Sequence, residues 1–285
     1  MIYYFKIRFS DLFNAGKWEQ YKYMIDSIGD PDFCRLYQKL PEYLLSSRAD
    51  NTRRKYQYAF NSWRKWANTH YVTSLPVSHL HVVLYLINLS ESANSVSKID
   101  EAFYALSWAH KLAGVPDPCK YNLVVSVREG AHIKIGHVIL KKEPITPDIL
   151  QKIVLLYGNK NCNLKDLRIA CMCLLGYTGF LRFSEVASLK RSDISFFPSH
   201  VKLYLGKSKT DVYREGREVV ISKTDTITCP VDMLNRYLKL AGTSENSVDY
   251  IFRSVSFCKS TDSYKLRNSG QISYSRVREI LISAL

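Results

Sequence analysis

Residues 178–189 read Thr-Gly-Phe-Leu-Arg-Phe-Ser-Glu-Val-Ala-Ser-Leu, and this stretch decides how the second half of the chain folds. It follows a run over 164–175 that is apolar on nearly all sides, which predicts a deeply buried helix. A turn containing glycine then leads into a second helix. Arg182 and Glu185 are three residues apart and therefore share one helical face. Such an arginine, held by a carboxylate, could present its planar fork to a phosphate, whereas spacing alone favours an ordinary surface ion pair.

The elements around this stretch follow from the period of the apolar residues. Apolar residues alternate with polar ones over 201–205, which is strand periodicity, and a second β-branched run covers 219–221. The polar segment 206–218 lies between them, so we expect a hairpin with a long, charged tip. Helices are expected to begin at Thr146-Pro147-Asp148, where Thr is an N-cap and Pro the first helical residue, and to cover 230–241 and 274–284.

The first half of the chain has the pattern of a helical bundle. Apolar residues at i, i+3, i+4 spacing predict four amphipathic helices, at 52–67, around 77–87, from 96 to 112 and at 120–132. Residues 1 to about 30 have weak periodicity and are expected to form a loosely attached leader. A polar, basic segment at 141–144 is the expected interdomain linker.

The charge of the chain indicates an anionic partner. Forty Lys and Arg residues against 26 Asp and Glu give a net charge of +14. No stretch approaches the roughly 20 apolar residues that span a bilayer, so nucleic acid is a better candidate than a membrane. The charged N-terminus does not resemble a signal peptide, and a soluble, intracellular protein is expected. Five basic residues lie off the apolar stripe of the helix at 52–67 and are candidates for DNA contacts: Arg53, Arg54, Lys55, Arg64 and Lys65.

The cysteines and histidines predict neither a metal site nor a cofactor. The seven cysteines are odd in number and include no Cys-x-x-Cys pair, so they are expected to be reduced and structural. His79 and His81 alternate on a helix and do not share a face, which makes them poor metal ligands. The tryptophans at 63, 66 and 108 have the spacing of core residues.

Several motifs together resemble the tyrosine recombinase (phage integrase) family. They are the segment at 178–189, the tripeptide Asp-Ile-Ser at 193–195 and Ser-Lys-Thr-Asp at 208–211, in that order. Residues 75–118 resemble the helical, SAM-like core-binding domain that clamps DNA in this family, and residues 229–242 and 264–281 resemble later parts of its catalytic domain. The similarity covers about residues 33–285 and is greatest to Xer-like recombinases of animal genomes, which derive from mobile elements.

The resemblance implies a fold and a set of site residues. The implied fold is mainly α with a small β-hairpin: a leader over 1–32, a DNA-binding domain over 33–140 and an incomplete α+β catalytic domain over 144–285. Arg182 corresponds to the first catalytic arginine, which holds the scissile phosphate, and Glu185 to the acidic residue that steadies it. Lys209 corresponds to the hairpin lysine that protonates the departing 5′ oxygen, with Lys207 as second choice for that role and otherwise as a candidate DNA contact. The alternative for Lys209 is an exposed lysine that contacts only the DNA backbone, or nothing.

The chain also departs from the family. The family has a His-x-x-Arg box, then a His or Trp, and then the tyrosine that forms a 3′-phosphotyrosyl link, but no histidine follows His200 here. Tyr274 shares a helical face with Val277, Ile280 and Leu281, and is therefore expected to pack rather than to attack DNA. The sequence thus predicts a C-terminally truncated, nuclear protein that binds double-stranded DNA without cutting it. Two alternatives stay open: a complete enzyme that continues past Leu285 and acts as a homo-oligomer, and a non-enzymatic DNA- or protein-binding module.

Overall fold

Two units, each with its own hydrophobic core, make up the chain. They cover Met1–Lys141 and Lys142–Leu285. The computed structural model describes residues 12–13, 17–136, 143–206 and 215–282. The architecture is mainly helical with two small antiparallel sheets, which confirms the predicted fold class.

Six α-helices and a short 3-10 helix at Pro118–Lys120 form most of the described part of the first unit. The α-helices are α1 (Lys17–Ile28), α2 (Pro31–Ser46), α3 (Asp50–Thr69), α4 (His79–Ser92), α5 (Val96–Ala113) and α6 (Asn122–Ile135). The four helices predicted from periodicity are confirmed as α3 to α6. Trp63 of α3 is fully buried and donates its indole N–H to the Ser74 carbonyl at 2.9 Å, so this tryptophan is a core residue as expected. α5 ends at Gly114, whose φ of 67° is the left-handed conformation that glycine adopts at little cost.

The expected loose leader is a packed helix over its described part. Trp18 of α1 is buried, and its indole Nε1 donates to the Leu112 carbonyl at the end of α5. Tyr37 of α2 donates its hydroxyl to the Trp18 carbonyl at 2.9 Å. The expectation of a loosely attached leader is therefore wrong for α1, because one tryptophan anchors a segment whose periodicity is weak.

The second unit combines five helices with two small sheets. The helices are α7 (Pro147–Tyr157), α8 (Leu164–Thr178), α9 (Phe183–Ala187), α10 (Pro230–Leu240) and α11 (Tyr274–Ile282). Strands β1 (Ile194–Phe196), β2 (His200–Leu205) and β3 (Arg217–Ser222) form one antiparallel sheet in that order, and β4 (Arg253–Cys258) pairs with β5 (Ser263–Gln271). The sequence predicted β2, β3 and the helices that precede and follow this hairpin, but not β1, β4 or β5.

The core of the second unit surrounds α8. Leu167, Leu174 and Leu175 are fully buried, which confirms the prediction for this helix. The inward-facing residues of the hairpin, Val201 and Leu203, join the same core, and Val201 pairs with Ile221 across the ladder. No described helix has the length and apolar character needed to cross a membrane.

Candidate phosphate-binding site

A tight turn between α8 and α9 positions the arginine singled out by the sequence. Thr178 ends α8 by donating its hydroxyl to the Leu174 carbonyl at 2.7 Å, and Gly179 follows. A Cβ at Gly179 would lie 3.0 Å from both the Leu175 carbonyl oxygen and Leu181 Cγ, so the turn has no room for a larger residue. Leu181 is buried in the core, and the next residue is Arg182. Because Leu181 is anchored in the core, the turn fixes the position of the Arg182 backbone.

Glu185 holds Arg182 from the other side. The Arg182 backbone N–H donates to Glu185 Oε2 at 2.8 Å, and the Arg182 guanidinium Nη1 donates to Glu185 Oε1 at 3.1 Å. The Glu185 side chain is only 1% exposed, whereas that of Arg182 is 48% exposed. A buried carboxylate needs such charged partners to offset its desolvation. The pair is thus not the ordinary surface ion pair that spacing alone favoured.

A second arginine, which sequence reasoning missed, contacts the same carboxylate. Arg217 Nη2 lies 3.5 Å from Glu185 Oε2, and the Arg217 side chain is 49% exposed. Arg217 is the first residue of β3 and pairs with Leu205, the last residue of β2, so the base of the hairpin carries it to Glu185. The signal available in the sequence was a basic residue at the start of the second β-branched run, which is a weak one.

The arrangement has the properties of a phosphate site. Two guanidinium groups flank one buried carboxylate, and about half of each arginine side chain faces solvent. Because a guanidinium has five N–H donors in a planar fork, part of each group can contact a phosphate while another part contacts Glu185. The buried carboxylate limits how far either arginine can move.

The two predicted hairpin lysines, Lys207 and Lys209, lie outside the described residues. Their assignment as proton donor or backbone contact stays a prediction.

The five basic residues predicted to contact DNA lie on α3, in the first unit, and differ in their surroundings. Arg53 forms an ion pair with Asp50, and Lys55 lies 3.5 Å from Glu101. Arg64 is partly buried, while Arg54 and Lys65 are exposed. Arg54 and Lys65 are eleven residues apart, which is close to three helical turns, so they share one exposed face.

Tyr274 is less buried than the sequence predicted. Its ring packs edge-on against Phe183 with centroids 5.3 Å apart, but the residue is 56% exposed. Val277, by contrast, is buried as predicted. The expectation that Tyr274 is a packed residue of the apolar stripe is therefore wrong in degree: Tyr274 begins α11 at the edge of the core. Among the described residues of the second unit, Tyr237 is a fully buried tyrosine, and its burial raises the pKa of its hydroxyl.

Metal-ligating side chains do not cluster in the described part of the chain. No group of three or more His, Cys, Asp and Glu residues there could hold a metal ion. All seven cysteines are free, and burial raises the pKa of the Cys173 thiol to about 11.

Comparison with known proteins relates the chain to recombinases. No protein-family model matches it. An integrase/recombinase XerD homologue of Selenomonas ruminantium is 28% identical over 210 residues, which cover 73% of this chain and 61% of that protein. A tyrosine recombinase of Pseudothermotoga lettingae is 24% identical over 226 residues, or 77% of this chain and 70% of that protein. The chain therefore spans about three fifths of the first of these relatives.

The fold recurs in a solved structure. A lambda integrase dimer bound to a COC′ core site superposes with a TM-score of 0.51 and 15% identity, covering 87% of this chain and 61% of that chain. At this identity the likeness concerns the fold alone.

Proposed function

Because the chain is related to the tyrosine recombinase family, we propose that it is a DNA-binding protein of DNA recombination or integration. The observation that carries the proposal is the cluster of Arg182, Glu185 and Arg217, in which a buried carboxylate holds two half-exposed guanidinium groups. In this proposal the two arginines bind one phosphate of the DNA backbone, and the net charge of +14 draws the duplex to the protein.

The residue roles follow from the chemistry of phosphoryl transfer. Positive charge around the phosphorus stabilises a developing phosphorane, and arginines can supply that charge. Arg182 and Arg217 bind the phosphate oxygens, and Glu185 orients both arginines without touching DNA. In a form of the protein that cuts DNA, Lys209, or alternatively Lys207, would be the acid for the departing 5′ oxygen.

The first unit is proposed to hold the duplex nonspecifically through α3. Arg54 and Lys65 lie on one exposed face, and the axial rise of a helix puts their Cα atoms about 16 Å apart. Contacts from such residues to phosphates position a protein on DNA but carry no sequence information. The proposed partner is double-stranded DNA, and a nuclear location is part of this proposal only because DNA is the partner.

We propose that these 285 residues bind DNA without cutting it. No histidine follows His200, so this 285-residue sequence has no His-x-x-Arg box and no tyrosine in the position of the family's nucleophile. A non-enzymatic DNA-binding module derived from a mobile element is therefore the second candidate. The proposed relationship to recombinases of animal genomes stays a prediction.

Titration of a labelled duplex at several salt concentrations tests DNA binding. Each phosphate contact by Lys or Arg releases counterions, so the logarithm of affinity should fall steeply with the logarithm of salt concentration. Arg182→Ala and Arg217→Ala should each weaken binding about fivefold, and the variant that carries both substitutions should reduce the salt slope by about one, because the two arginines bind one phosphate. Arg35→Ala is the matched control, because Arg35 forms an i,i+3 ion pair with Asp32 in which both side chains are exposed. Absence of binding at low salt, or equal effects of all three single variants, would refute the site.

Nicked suicide substrates test cleavage. We expect the 285-residue protein to form no DNA adduct that survives denaturant. A covalent adduct would show that another group of this chain acts as the nucleophile, and the non-cleaving proposal would be wrong.

A further inference from the structure

Phe180, in the turn between α8 and α9, is almost fully exposed. It is 91% exposed, and its backbone has a φ of 49°. A bulky residue rarely adopts this left-handed conformation, because its Cβ is crowded there. The ring is not buried against any of the described residues, so burial does not compensate for this cost. Phe180 thus combines an unfavourable backbone with an unfavourable exposed ring, two residues before Arg182.

The geometry of the turn explains why the ring points outward. Gly179 fits closely against the core, and Leu181 is buried there and donates its N–H to the Gly176 carbonyl at 3.0 Å. Phe180 lies between two inward-facing positions and must therefore project away from the core. A polar residue, or asparagine or glycine with their tolerance of positive φ, would fit this position better on physical grounds. The aromatic ring is consequently unexplained by the folding of this unit.

We propose that Phe180 stacks on a nucleobase beside the phosphate that Arg182 and Arg217 bind. This inference rests on the proposed function, because it needs DNA at the arginine pair. The Cα atoms of Phe180 and Arg182 are at most about 7.6 Å apart, since consecutive Cα atoms are 3.8 Å apart. Nucleotides of one strand follow each other every 3.4 Å along the helix axis, so the ring reaches a base close to the bound phosphate. Stacking covers the exposed ring, and every base has a suitable face.

The stacked base must first have an open face. In an intact duplex both faces of each base are covered by neighbouring base pairs, and unstacking them costs free energy. Phe180 therefore favours DNA in which a base is already unstacked, at a nick, a gap or a mismatch. The protein should bind a duplex with a short gap more tightly than the intact duplex of the same length, by roughly tenfold, the effect typical of one base–aromatic stack.

A fluorescent variant tests the contact directly. The four tryptophans of the chain, at 18, 63, 66 and 108, all belong to the first unit, so Phe180→Trp places a single tryptophan in the second. The difference between the spectra of the variant and of the unsubstituted protein isolates this indole. We expect the indole to be accessible to acrylamide in the free protein, and to be quenched by gapped DNA and protected from acrylamide when gapped DNA binds. Binding of DNA without any change in this signal would overturn the stacking proposal while leaving the proposed function intact.

Affinity measurements distinguish stacking by the aromatic ring from a general apolar contact at position 180. Phe180→Ala and Phe180→Leu should both lose the preference for gapped DNA and keep the affinity for intact duplex, whereas Phe180→Trp should retain the preference. Phe257→Ala is the control, because Phe257 is a half-exposed aromatic residue on β4. If Phe180→Leu keeps the preference, or if Phe257→Ala loses it, the ring of Phe180 is not a stacking platform. If neither the unsubstituted protein nor any of the variants binds DNA, the proposed function fails instead.

A melting experiment shows whether a loss of the preference for gapped DNA is caused by destabilisation of the fold. Phe180→Gly removes the crowded Cβ from a left-handed position, so its melting temperature should equal or exceed that of the unsubstituted protein, while its preference for gapped DNA is lost. A clear fall in melting temperature would mean that the ring packs within the protein, which would overturn the proposal.

Discussion

Replacing Glu185 by glutamine tests whether the buried carboxylate organises the arginine pair. Glutamine keeps the size and one acceptor oxygen of the side chain but removes its charge. The Arg182 backbone N–H can still donate to the amide oxygen. Both guanidinium groups, however, lose the negative charge that now lies 3.1 Å from Arg182 Nη1 and 3.5 Å from Arg217 Nη2.

The expected cost can be worked out from these contacts. One hydrogen bond to a charged acceptor becomes a bond to a neutral one, and the other is lost because the amide NH2 replaces the second oxygen; each change costs about 1 kcal/mol, since the half-exposed Arg182 guanidinium can turn to water instead. The ion pair with Arg217 is longer and its guanidinium is half exposed, so solvent screening limits it to less than about 1 kcal/mol. Glutamine avoids the desolvation penalty of the buried carboxylate, which offsets part of the loss. The free energy of unfolding should therefore fall by about 1–2 kcal/mol.

Urea denaturation of the variant and a matched control measures this effect. Glu218→Gln is the control, because Glu218 is 57% exposed and pairs with Lys202 at 3.0 Å on the outer face of the same hairpin. It should change the free energy of unfolding by less than about 0.5 kcal/mol. Equal losses in the two variants would mean that Glu185 is an ordinary ion-pair residue, and the argument that burial makes it an organising group would be wrong.

Further predictions concern a buried histidine, a turn and a tyrosine. Burial lowers the pKa of His110, which donates to the Leu106 carbonyl and accepts from the Val77 N–H, so stability should be complete above pH 6.5 and decline as pH falls from there towards the lowered pKa; urea midpoints that do not change between pH 7 and 5 would contradict this. Gly179→Ala should lower the free energy of unfolding by about 1–3 kcal/mol, because the added methyl group would meet the core at 3.0 Å; a calorimetric melt measures the loss, and an unchanged melt would show that the turn relaxes freely. Tyr274→Phe should leave DNA affinity and stability nearly unchanged, since the ring contact is kept; loss of a covalent DNA adduct in this variant would instead make Tyr274 a nucleophile.

Local sequence patterns predicted the elements whose structure is local. The burial of α8 follows from its composition, and the hairpin of β2 and β3 follows from alternation. Thr146 was correctly predicted as an N-cap, since its hydroxyl accepts the Ile149 N–H at 3.4 Å. In each case the residues that determine the element lie within it, so its period or its cap is visible without knowledge of the tertiary structure.

Contacts between distant residues were not predictable in the same way. Trp18 is anchored by a carbonyl 94 residues away, and nothing near Trp18 in the sequence specifies that partner. Asp30 was nevertheless an available signal for α2, because it precedes Pro31 and its side chain accepts the Asp32 N–H at 2.7 Å. Arg217 reaches Glu185 only because the register pairs it with Leu205. Alternation predicts that two strands form, but a contact at the base of the hairpin requires the register itself.

The residues of the arginine cluster meet the physical requirements for holding a phosphate, which differ from those for breaking its ester bond. Arg182, Glu185 and Arg217 come from one turn and one hairpin base, and the described core around α8 supports both. Nothing in these contacts depends on a histidine box or on a nucleophile, so the cluster can hold a phosphate with the residues that this sequence already contains. Holding a phosphate requires only oriented positive charge, whereas breaking its ester bond also requires an attacking group and an acid for the leaving oxygen. The described residues therefore supply the oriented positive charge that the proposed phosphate contact requires.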